Sequence, residues 1–326
     1  MTASEADPRG RARAGRVRFA TFNVLHGRSM RDGRPVAVPA GCGPEEPLVR
    51  AVASLDADVL ALQELDHLQE RSGRVDQARA AAAGAEAPYW RYASAFPAGA
   101  APTAGQAPEP HEPPLWLYGP HETGSEAGAE AGAGVSDGVP SHGIALLSRL
   151  PVRHWRARRL APAPVPMPLR TPGRRGLTVS WDQPRAALAA VLEGKRGPFT
   201  VVALHLSFVP GWNVRQLLEV RAWTADLPGP RILLGDLNLT GALPRAVLNT
   251  PARKSRTGLR RTRSDSPPLP RDWQDLARTP TYPAHRPLVR FDHVLATGIP
   301  ADAATHVDTP PTGISDHRPL VVELPL

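Results

Sequence analysis

An acid and an imidazole stand side by side near the end of the sequence, at Asp316 and His317, just before the apolar run 320–324. A carboxylate and an imidazole at the end of a strand can bind a metal ion or move a proton. A buried core seldom tolerates such groups unless they are paired. One such pair in 326 residues can also be an ordinary surface turn, so by itself it marks only a candidate site.

Other residues with the same chemistry stand where other apolar runs end. They are Asn23, Gln63 with Glu64, His205, Asp236 with Asn238, and Asp292. Strand ends on one rim converge in space, so these side chains could line a single cleft. Each also has an ordinary alternative: an amide or acid can cap a turn, and a histidine can be a satisfied core residue. The residues alone leave both interpretations open.

The types of side chain favour one kind of metal. Carboxylate and carboxamide oxygens are hard donors that suit Mg²⁺ or Mn²⁺, whereas zinc more usually recruits further imidazole or thiolate ligands and calcium a dense acidic loop. A bound Mg²⁺ keeps open positions for a phosphate oxygen and lowers the pKa of a bound water. The sequence therefore predicts a Mg²⁺ or Mn²⁺ centre rather than zinc or calcium.

The elements that must position these residues are mostly strands. Strand-length apolar runs occur at 17–23, 58–64, 89–95, 142–148, 185–192, 199–205, 231–235, 290–296 and 318–324, and helical patterns at 45–55 and 214–227. Several runs are nearly uniform in apolar character, as expected for sheets that are buried against helices. The pattern predicts an α/β protein in which two packed sheets have helices outside, in one domain over residues 17–326.

Three segments are expected to lie outside this core. Residues 1–16 should form a frayed, disordered tail, and 97–140 a low-complexity insertion that Trp116 and Tyr118 could anchor to the body. A basic loop is expected at 250–270, where residues 253–263 contain six basic side chains and no acid. This loop could overhang the cleft and collect phosphates, or it could be a solvated arginine-rich loop.

Composition limits the partners and the compartment. The formal charge of +8 invites a phosphate-rich partner, but all basic residues except Lys195 and Lys254 are arginine, a bias that could come from GC-rich coding. Cys42 is the only cysteine, which excludes an internal disulfide or a thiolate cluster. No signal peptide or membrane-spanning stretch is evident. We expect a cytoplasmic monomer.

Six sequence blocks resemble one known family, and they occur in that family's order. The blocks are Thr21-Phe22-Asn23, Leu62-Gln63-Glu64, Ala203-Leu204-His205-Leu206, Gly235-Asp236-Leu237-Asn238, Phe291-Asp292-His293 and Ser315-Asp316-His317-Arg318-Pro319. The connecting stretch 143–151 also looks like the family's central strand. The chain thus resembles the endonuclease/exonuclease/phosphatase superfamily of metal-dependent phosphoesterases. This resemblance implies a DNase I-like, four-layer α/β/β/α sandwich of two mixed sheets.

The resemblance also implies a role for each residue. Glu64, supported by Asn23 and Gln63, would hold the metal with Asp316 close by, and Asp236 would orient or deprotonate the attacking water. Asn238 would stabilise the developing charge, and His205 would contact the phosphate or assist the leaving oxygen. His317, oriented by Asp292, would act either as the general base or as a cation that stabilises the pentacovalent centre.

The substrate stays open at this level. The superfamily includes nucleases, phosphatases and phospholipid phosphodiesterases, so a nucleic acid, a phospholipid or a small phosphate ester would each be consistent with the motifs. The arginines of the basic loop favour nucleic acid slightly, and the absence of an evident membrane-inserting segment slightly disfavours lipid. A catalytically silent nucleic-acid-binding module is the alternative from another class, but it would require a broken site.

Overall fold

The computed structural model describes residues 15–38, 40–95, 115–120, 138–169, 177–251 and 272–326. Most of the expected tail at 1–16, most of the expected insertion at 97–140 and almost all of the expected basic loop at 250–270 lie outside the described residues. The described residues form a mixed α/β fold with few helices, as the sequence predicts.

The strands, in chain order, are β1 Val17–Asn23, β2 Met30–Arg31, β3 Arg34–Pro35, β4 Val59–His67, β5 Tyr89–Ser94, β6 Trp116–Tyr118, β7 Ser141–Ser148, β8 Val152–Leu160, β9 Met167–Leu169, β10 Thr178–Ser180, β11 Arg185–Gly194, β12 Gly197–His205, β13 Arg231–Asp236, β14 Gln274–Asp275, β15 Asp292–Thr297, β16 His306–Asp308 and β17 Leu320–Leu324. The α-helices are α1 Glu46–Leu55, α2 Gln77–Gly84, α3 Trp212–Trp223 and α4 Leu243–Leu248.

Two large sheets contain most of these strands. The first has the order β16-β17-β1-β4-β7-β5-β6, and the second has the order β14-β15-β13-β12-β11-β8. Within each sheet one pair is parallel, β1 with β4 and β12 with β13, and a helix connects its two strands. Two small hairpins, β2 with β3 and β9 with β10, stand apart from the large sheets.

Three hydrophobic clusters define four layers. The central cluster lies between the sheets, where Phe19 and Phe199 meet edge to face with ring centroids 6.1 Å apart. A second cluster packs α1 and α2 on the outer face of the first sheet, and a third packs α3 and α4 on the outer face of the second. The α/β/β/α sandwich expected from the resemblance is confirmed.

Strand direction gives the sandwich two distinct ends. Strand β1 ends at Asn23, where β4 passes through Glu64, and β12 and β13 end at His205 and Asp236. We call this the site end. The opposite end, where the same strands begin and where residues 195–196 turn between β11 and β12, is called the far end.

Several elements differ from the sequence-based expectation, and two of them show why. The nine-residue strand β8 was not predicted, because its sequence Val-Arg-His-Trp-Arg-Ala-Arg-Arg-Leu is rich in arginine; it is an edge strand, so one side of it needs no partner. Helix α2 was not predicted either, because its run of alanines gives no amphipathic pattern. Its N-cap is Asp76, whose side chain accepts the Arg79 backbone N–H.

The longest α-helix in the described part of the chain, α3, has 12 residues. None of the described helices has the length and apolar character needed to cross a membrane.

Candidate active site

The register of the strands brings the predicted residues to the site end. Asn23 of β1 lies opposite Gln63 of β4. His205 of β12 lies opposite Asp236 of β13, and Asp236 also lies opposite Asp292 of β15. Strand β17 runs antiparallel to β1, with Leu320 opposite Thr21, so the residues just before β17 lie beside the end of β1. Asp316 and His317 therefore join a site whose other members come from both sheets.

Glu64 enters the site through a β-bulge. The pairing of β4 with β7 shifts between Gln63 and Leu65, which leaves Glu64 out of the ladder, and its φ of 59° is in the left-handed region. A bulge re-aims one side chain and is frequent beside functional sites. The side chain of Gln63 is fully buried and bonds Thr21 Oγ1, so it supports the β1–β4 register and does not bond Glu64.

The Asn23 amide joins two carboxylates. Its nitrogen donates to Glu64 Oε1 at 2.9 Å and to Asp236 Oδ2 at 3.1 Å, while its oxygen accepts the backbone N–H of Leu25 at 3.1 Å. In this arrangement the amide nitrogen faces the two carboxylates, and the amide oxygen is bonded to the backbone of Leu25. Asn23 orients Glu64 and Asp236 relative to each other.

Asp236 lies at the centre of the site. Its Oδ1 accepts the Asn238 backbone N–H at 2.9 Å, and its Oδ2 lies 3.8 Å from the Nε2 atoms of both His205 and His317. The preceding Gly235 allows this placement, because a Cβ there would collide with the carbonyl oxygen of Leu204 on the neighbouring strand.

Asn238 is held in the left-handed region, with φ at 49°. One of its side-chain N–H groups donates to the backbone carbonyl oxygen of Leu206 at 3.0 Å. The backbone carbonyl of Asn238 accepts a hydrogen bond from the side-chain amide of Asn213. The second side-chain N–H of Asn238 has no partner among the described residues. An amide fixed in this way can present a donor to a substrate without first having to be ordered.

His317 and Asp292 form the acid–imidazole pair that the resemblance implies. His317 Nδ1 lies 2.8 Å from Asp292 Oδ2, and the same oxygen accepts the Thr281 hydroxyl at 2.5 Å. Ser315 joins this pair to β1, because its hydroxyl donates to the carbonyl oxygen of Asn23 at 2.6 Å and accepts the His317 backbone N–H. The imidazole thus has a fixed position with its Nε2 directed at Asp236.

Burial and neighbouring charges act in opposite directions on the pKa values of Asp236 and His317. Burial raises the pKa of Asp236 to about 6, with Asp292 adding to the rise and His317 acting against it. Burial alone would lower the pKa of His317, but Asp292, Asp236 and Asp316 together raise it to about 10. The acidic neighbours thus favour the protonated form of His317, and burial favours a proton on Asp236.

His205 has the opposite electrostatic character. Burial, the guanidinium of Arg185, and the neighbouring His142 and His317 hold its pKa well below the ordinary range. Arg185 Nη1 lies 3.3 Å from Nδ1 and 3.4 Å from Nε2 of the His205 ring. If Nη1 lay in the plane of the ring at these two similar distances, it would collide with Cε1. The guanidinium therefore lies over the face of the ring. His205 is a neutral imidazole at physiological pH.

Arg185 and His142 are site residues that the sequence reasoning missed. They line one small cavity together with His205, and their side chains come from different sheets. Arg185 lies 3.8 Å from the buried Asp182, and its Nε–H is buried without a partner in the described structure. The only sequence signal was position, since Arg185 opens a strand that neighbours the His205 strand and His142 directly precedes the central-strand block.

A buried network extends the site beyond Glu64. Asp66 forms a bidentate ion pair with Arg71, at 2.8 and 2.6 Å, and lies 2.9 Å from His142 Nδ1. Gln77 holds the end of this network, since it accepts the Asp66 backbone N–H and donates to the carbonyl oxygen of His26. Burial, together with Arg71, lowers the pKa of His26 to about 4. This network fixes the backbone that follows Glu64, at Asp66.

The residues near Glu64 suit a hard divalent cation. Burial would raise the pKa of Glu64, but His142, the Asn23 amide and Arg185 more than offset it, so the carboxyl is ionised. Burial and the charge of Glu64 raise the pKa of Asp316. Two half-buried carboxylates that repel each other are better satisfied by a shared cation than by water alone, and the donor set is all oxygen.

A second acidic group also has the spacing of a metal site. One ligand atom from each of Asp236, Asp292 and His317 lies within 4.8 Å of the others. The ring nitrogen of His317 that faces Asp292 is already used in a hydrogen bond. Glu64 and Asp316 offer only oxygen donors, which suit Mg²⁺ or Mn²⁺ better than a set that includes an imidazole.

The comparison with protein families decides what kind of protein has this site. A sequence model described as "Endonuclease/Exonuclease/phosphatase family" matches residues 20–317, which include every site residue predicted above. The chain belongs to this family. Endonuclease/exonuclease/phosphatase family members are phosphoesterases, that is, hydrolases of phosphate ester bonds.

Solved structures from the same family share the fold at low sequence identity. A family protein from Leptotrichia buccalis C-1013-b is 11% identical, with a TM-score of 0.53, and the match covers 95% of this chain and 100% of that one. A family protein from Bacteroides vulgatus is 17% identical, with a TM-score of 0.50 and coverages of 95% and 99%.

A functionally unknown conserved protein from Enterococcus faecalis V583 is also similar. It is 15% identical, with a TM-score of 0.51 and coverages of 94% and 98%. At such identities the likeness shows the fold alone. Among curated proteins the chain has no significant match.

Proposed function

We propose that this member of the endonuclease/exonuclease/phosphatase family is a Mg²⁺- or Mn²⁺-dependent phosphoesterase that hydrolyses a phosphodiester by in-line attack of water, with nucleic acid the favoured substrate. The observation that carries the proposal is the environment of Asp236 Oδ2. The amide of Asn23 and the imidazoles of His205 and His317 surround this one carboxylate oxygen, at 3.1, 3.8 and 3.8 Å.

The metal would be held by Glu64 and Asp316, with Asn23 fixing the orientation of the Glu64 carboxylate. When bound, the ion supplies charge that polarises a phosphate oxygen and lowers the pKa of a bound water. The protein itself provides the two carboxyl groups, and the Asn23 amide keeps that of Glu64 in place. Mg²⁺ prefers one or two carboxylates plus waters, in accord with this small donor set.

Asp236 would accept the proton of the attacking water. A base works best when its pKa lies near the working pH, and burial brings the pKa of Asp236 to about 6. The water oxygen forms the new bond to phosphorus, its proton passes to Asp236, and the leaving oxygen departs with the bond pair. The free side-chain N–H of Asn238 would donate to a phosphate oxygen as its negative charge grows.

His317 would act as a cation rather than as a base. Its pKa of about 10 means that it carries a proton at neutral pH, and Asp292 fixes Nδ1 so that Nε2–H is free to donate to the phosphate. This favours one of the two roles that the sequence left open. A preorganised cation beside the pentacovalent centre stabilises charge that develops in the transition state.

His205 and Arg185 would bind non-bridging phosphate oxygens. The neutral imidazole of His205 can donate one hydrogen bond, but it holds no proton to give to a leaving group at neutral pH. The Nε–H group of Arg185 is not satisfied by the described residues, and arginine pairs well with phosphate. Of the two roles expected for His205, contact with the phosphate is therefore favoured.

A substrate panel tests the proposal. The protein would be assayed with an aryl phosphodiester, an aryl phosphomonoester, plasmid DNA, single-stranded DNA and RNA, phospholipid vesicles and sugar phosphates, each with Mg²⁺, Mn²⁺ or EDTA. We expect hydrolysis of the aryl phosphodiester and of nucleic acid with either metal and none in EDTA. If only phospholipid or only sugar phosphate were hydrolysed, nucleic acid would not be the substrate. If no substrate were hydrolysed, the proposal that the protein is an enzyme would be contradicted.

A further inference from the structure

Four exposed arginines at the site end have no partner among the described residues. Arg28, Arg31 and Arg34 lie on and beside the β2–β3 hairpin, and Arg286 lies in the loop 281–290; all four are exposed and make no ion pair or side-chain hydrogen bond with the described residues. We call these two segments, residues 28–35 and 281–290, the basic rim. Unpaired exposed cations on one surface attract a polyanion.

Several arginines away from the basic rim are paired with acids instead. Arg149 lies 2.8 Å from Asp56, Arg156 lies 2.7 Å from Asp226, and Arg153 pairs with Glu193. Arg28, Arg31, Arg34 and Arg286 differ from these arginines because they have no acidic partner among the described residues.

Both segments of the basic rim are attached to the loop that carries Asp316 and His317. The hairpin is joined through Met30 N–H to the Gly313 carbonyl oxygen at 2.9 Å, and the Arg28 carbonyl accepts the Ser315 N–H at 2.9 Å. The loop 281–290 is joined through the Ala284 N–H, which donates to the Asp316 carbonyl oxygen at 2.6 Å. Both segments of the basic rim are thus hydrogen-bonded directly to the loop that carries Asp316 and His317.

The two segments also meet each other. A Cβ placed on Gly33, at the tip of the hairpin, would lie 2.7 Å from the ring of His285, so the tip and the loop are already in close contact. The rim contains a single acid, Asp32, in its first segment and none in its second. It is therefore one continuous surface with an excess of positive charge.

We propose that the basic rim binds the backbone phosphates of a nucleic-acid strand on one side of the phosphodiester in the active site. The inference rests on the proposed function, because it takes a phosphodiester to be bound beside His317. A strand carries a phosphate at every nucleotide, so a strand with one phosphate beside His317 must place its neighbours on adjacent loops. Arginine suits these contacts through its fixed fork of donors.

An anionic membrane fits the rim less well. Interfacial membrane binding combines basic residues with an apolar face that contains tryptophan or phenylalanine. The rim has neither residue in its two segments, and Leu288 is its exposed large apolar side chain. A single exposed leucine is ordinary on a protein surface.

The test compares two variants with the same change of charge. Arg31→Gln/Arg34→Gln removes two positive charges from the rim, and Lys195→Gln/Arg196→Gln removes two from the turn at the far end. Binding of a fluorescein-labelled 20-nucleotide single strand and of the matching duplex would be measured by anisotropy in EDTA, so that no hydrolysis occurs. Each titration would be repeated over a series of salt concentrations, and thermal unfolding would check that both variants fold.

We expect the rim variant to bind the oligonucleotide about tenfold more weakly at low salt, with the slope of log Kd against log salt reduced by about two. The far-end variant should bind as the unaltered protein does. Equal weakening in both variants would overturn the proposal, since binding would then depend on net charge alone. So would a rim variant that binds the oligonucleotide normally but loses binding to phosphatidylserine-containing vesicles.

Failure of the proposed function would give a different result. The unaltered protein would then leave an aryl phosphodiester intact with Mg²⁺ and with Mn²⁺, whatever the anisotropy shows. A second result would separate the two proposals. If the protein hydrolyses the aryl phosphodiester but its rim variant keeps full affinity and the full salt slope for the oligonucleotide, the proposed function stands and the proposed role of the basic rim is wrong.

Discussion

The two ends of the sandwich differ in the environment of their carboxyl groups. At the far end, carboxyl groups pair with arginines, as in Glu323 with Arg18 at 2.8 Å and Asp56 with Arg149 at 2.8 Å. At the site end, burial raises the pKa of Asp236, and the β-bulge at Glu64 directs that carboxyl out of the strand ladder. Perturbed ionisation is frequent where function is carried out, so the far end serves as the internal control for each experiment below.

The largest expected effect comes from removing the proposed base. Asp236→Asn should reduce kcat on an aryl phosphodiester by about 10² to 10⁴, because the amide keeps the shape of the carboxyl but cannot accept the water proton. The measurement is steady-state hydrolysis with saturating Mg²⁺ or Mn²⁺. Asp226→Asn at the far end, where the carboxyl is half exposed and paired with Arg156, should leave kcat unchanged. A similar loss of kcat in both variants would show that the effect is not specific to the site end.

Asp292→Asn should act through His317. The Asp292 carboxylate is the leading cause that raises the pKa of this imidazole to about 10, so its removal should lower that pKa and reduce kcat by about 10². Histidine NMR in EDTA would follow the titration of His317 in both proteins. An unchanged pKa in the variant would show that Asp292 does not set the charge of His317.

The same pair predicts a pH dependence of stability. His317 has a folded-state pKa above its unfolded value near 6.5, so its stabilising effect is complete below pH 6.5 and is lost as the pH rises to about 10. In EDTA the free energy of unfolding should therefore fall over this range, by an amount on the order of a few kcal/mol. Urea titrations at several pH values would measure it, and Asp292→Asn should show a smaller fall.

Arg185→Gln tests the contact over the ring face of His205. Apart from burial, the guanidinium is the main cause that lowers the pKa of His205, so the variant should have a higher His205 pKa. It should also lose about tenfold in kcat/KM through the lost phosphate contact. Arg156→Gln at the far end is the matched control. If kcat/KM fell while the His205 pKa stayed the same, the ring-face contact would not govern its ionisation.

The sequence predicts the site far better than it predicts the geometry within it. Asn23, His205 and Asp236 could be found because each ends an apolar run, and parallel strands bring their carboxyl ends together. The bulge at Glu64 could not be found, since it depends on the pairing of β4 with β7. Arg185 was missed for a similar reason, because its contact with His205 exists only between neighbouring strands.

Parts of the fold were missed for physical reasons too. Helix α2 is stabilised by a cap at Asp76 and by packing of alanines against the first sheet, neither of which produces an amphipathic pattern. Strand β8 contains arginines that reach acids on other elements, such as Arg156 to Asp226 and Arg158 to Glu219. Tertiary partners of this kind override a local pattern that does not favour a strand.

The smallest effect is expected at the far end, from Arg149→Ala. Arg149 donates to Asp56 Oδ1 and to the carbonyl oxygen of Ala85, both at 2.8 Å, and so joins the end of β7 to α1 and α2. Its loss should reduce the free energy of unfolding by about 1 kcal/mol, because the ion pair is partly exposed and screened by solvent. Urea denaturation would measure this change.

The activity of Arg149→Ala decides whether the two ends are independent. The side chain lies at the far end of β7, whose other end carries His142, and a rigid strand could transmit a displacement along its length. We expect kcat and KM on the aryl phosphodiester to stay within about twofold, because changes at distant sites that share no partners act separately. A loss of kcat larger than the loss of stability explains would show that pairing at the far end sets the position of His142 and, through it, the ionisation of Glu64.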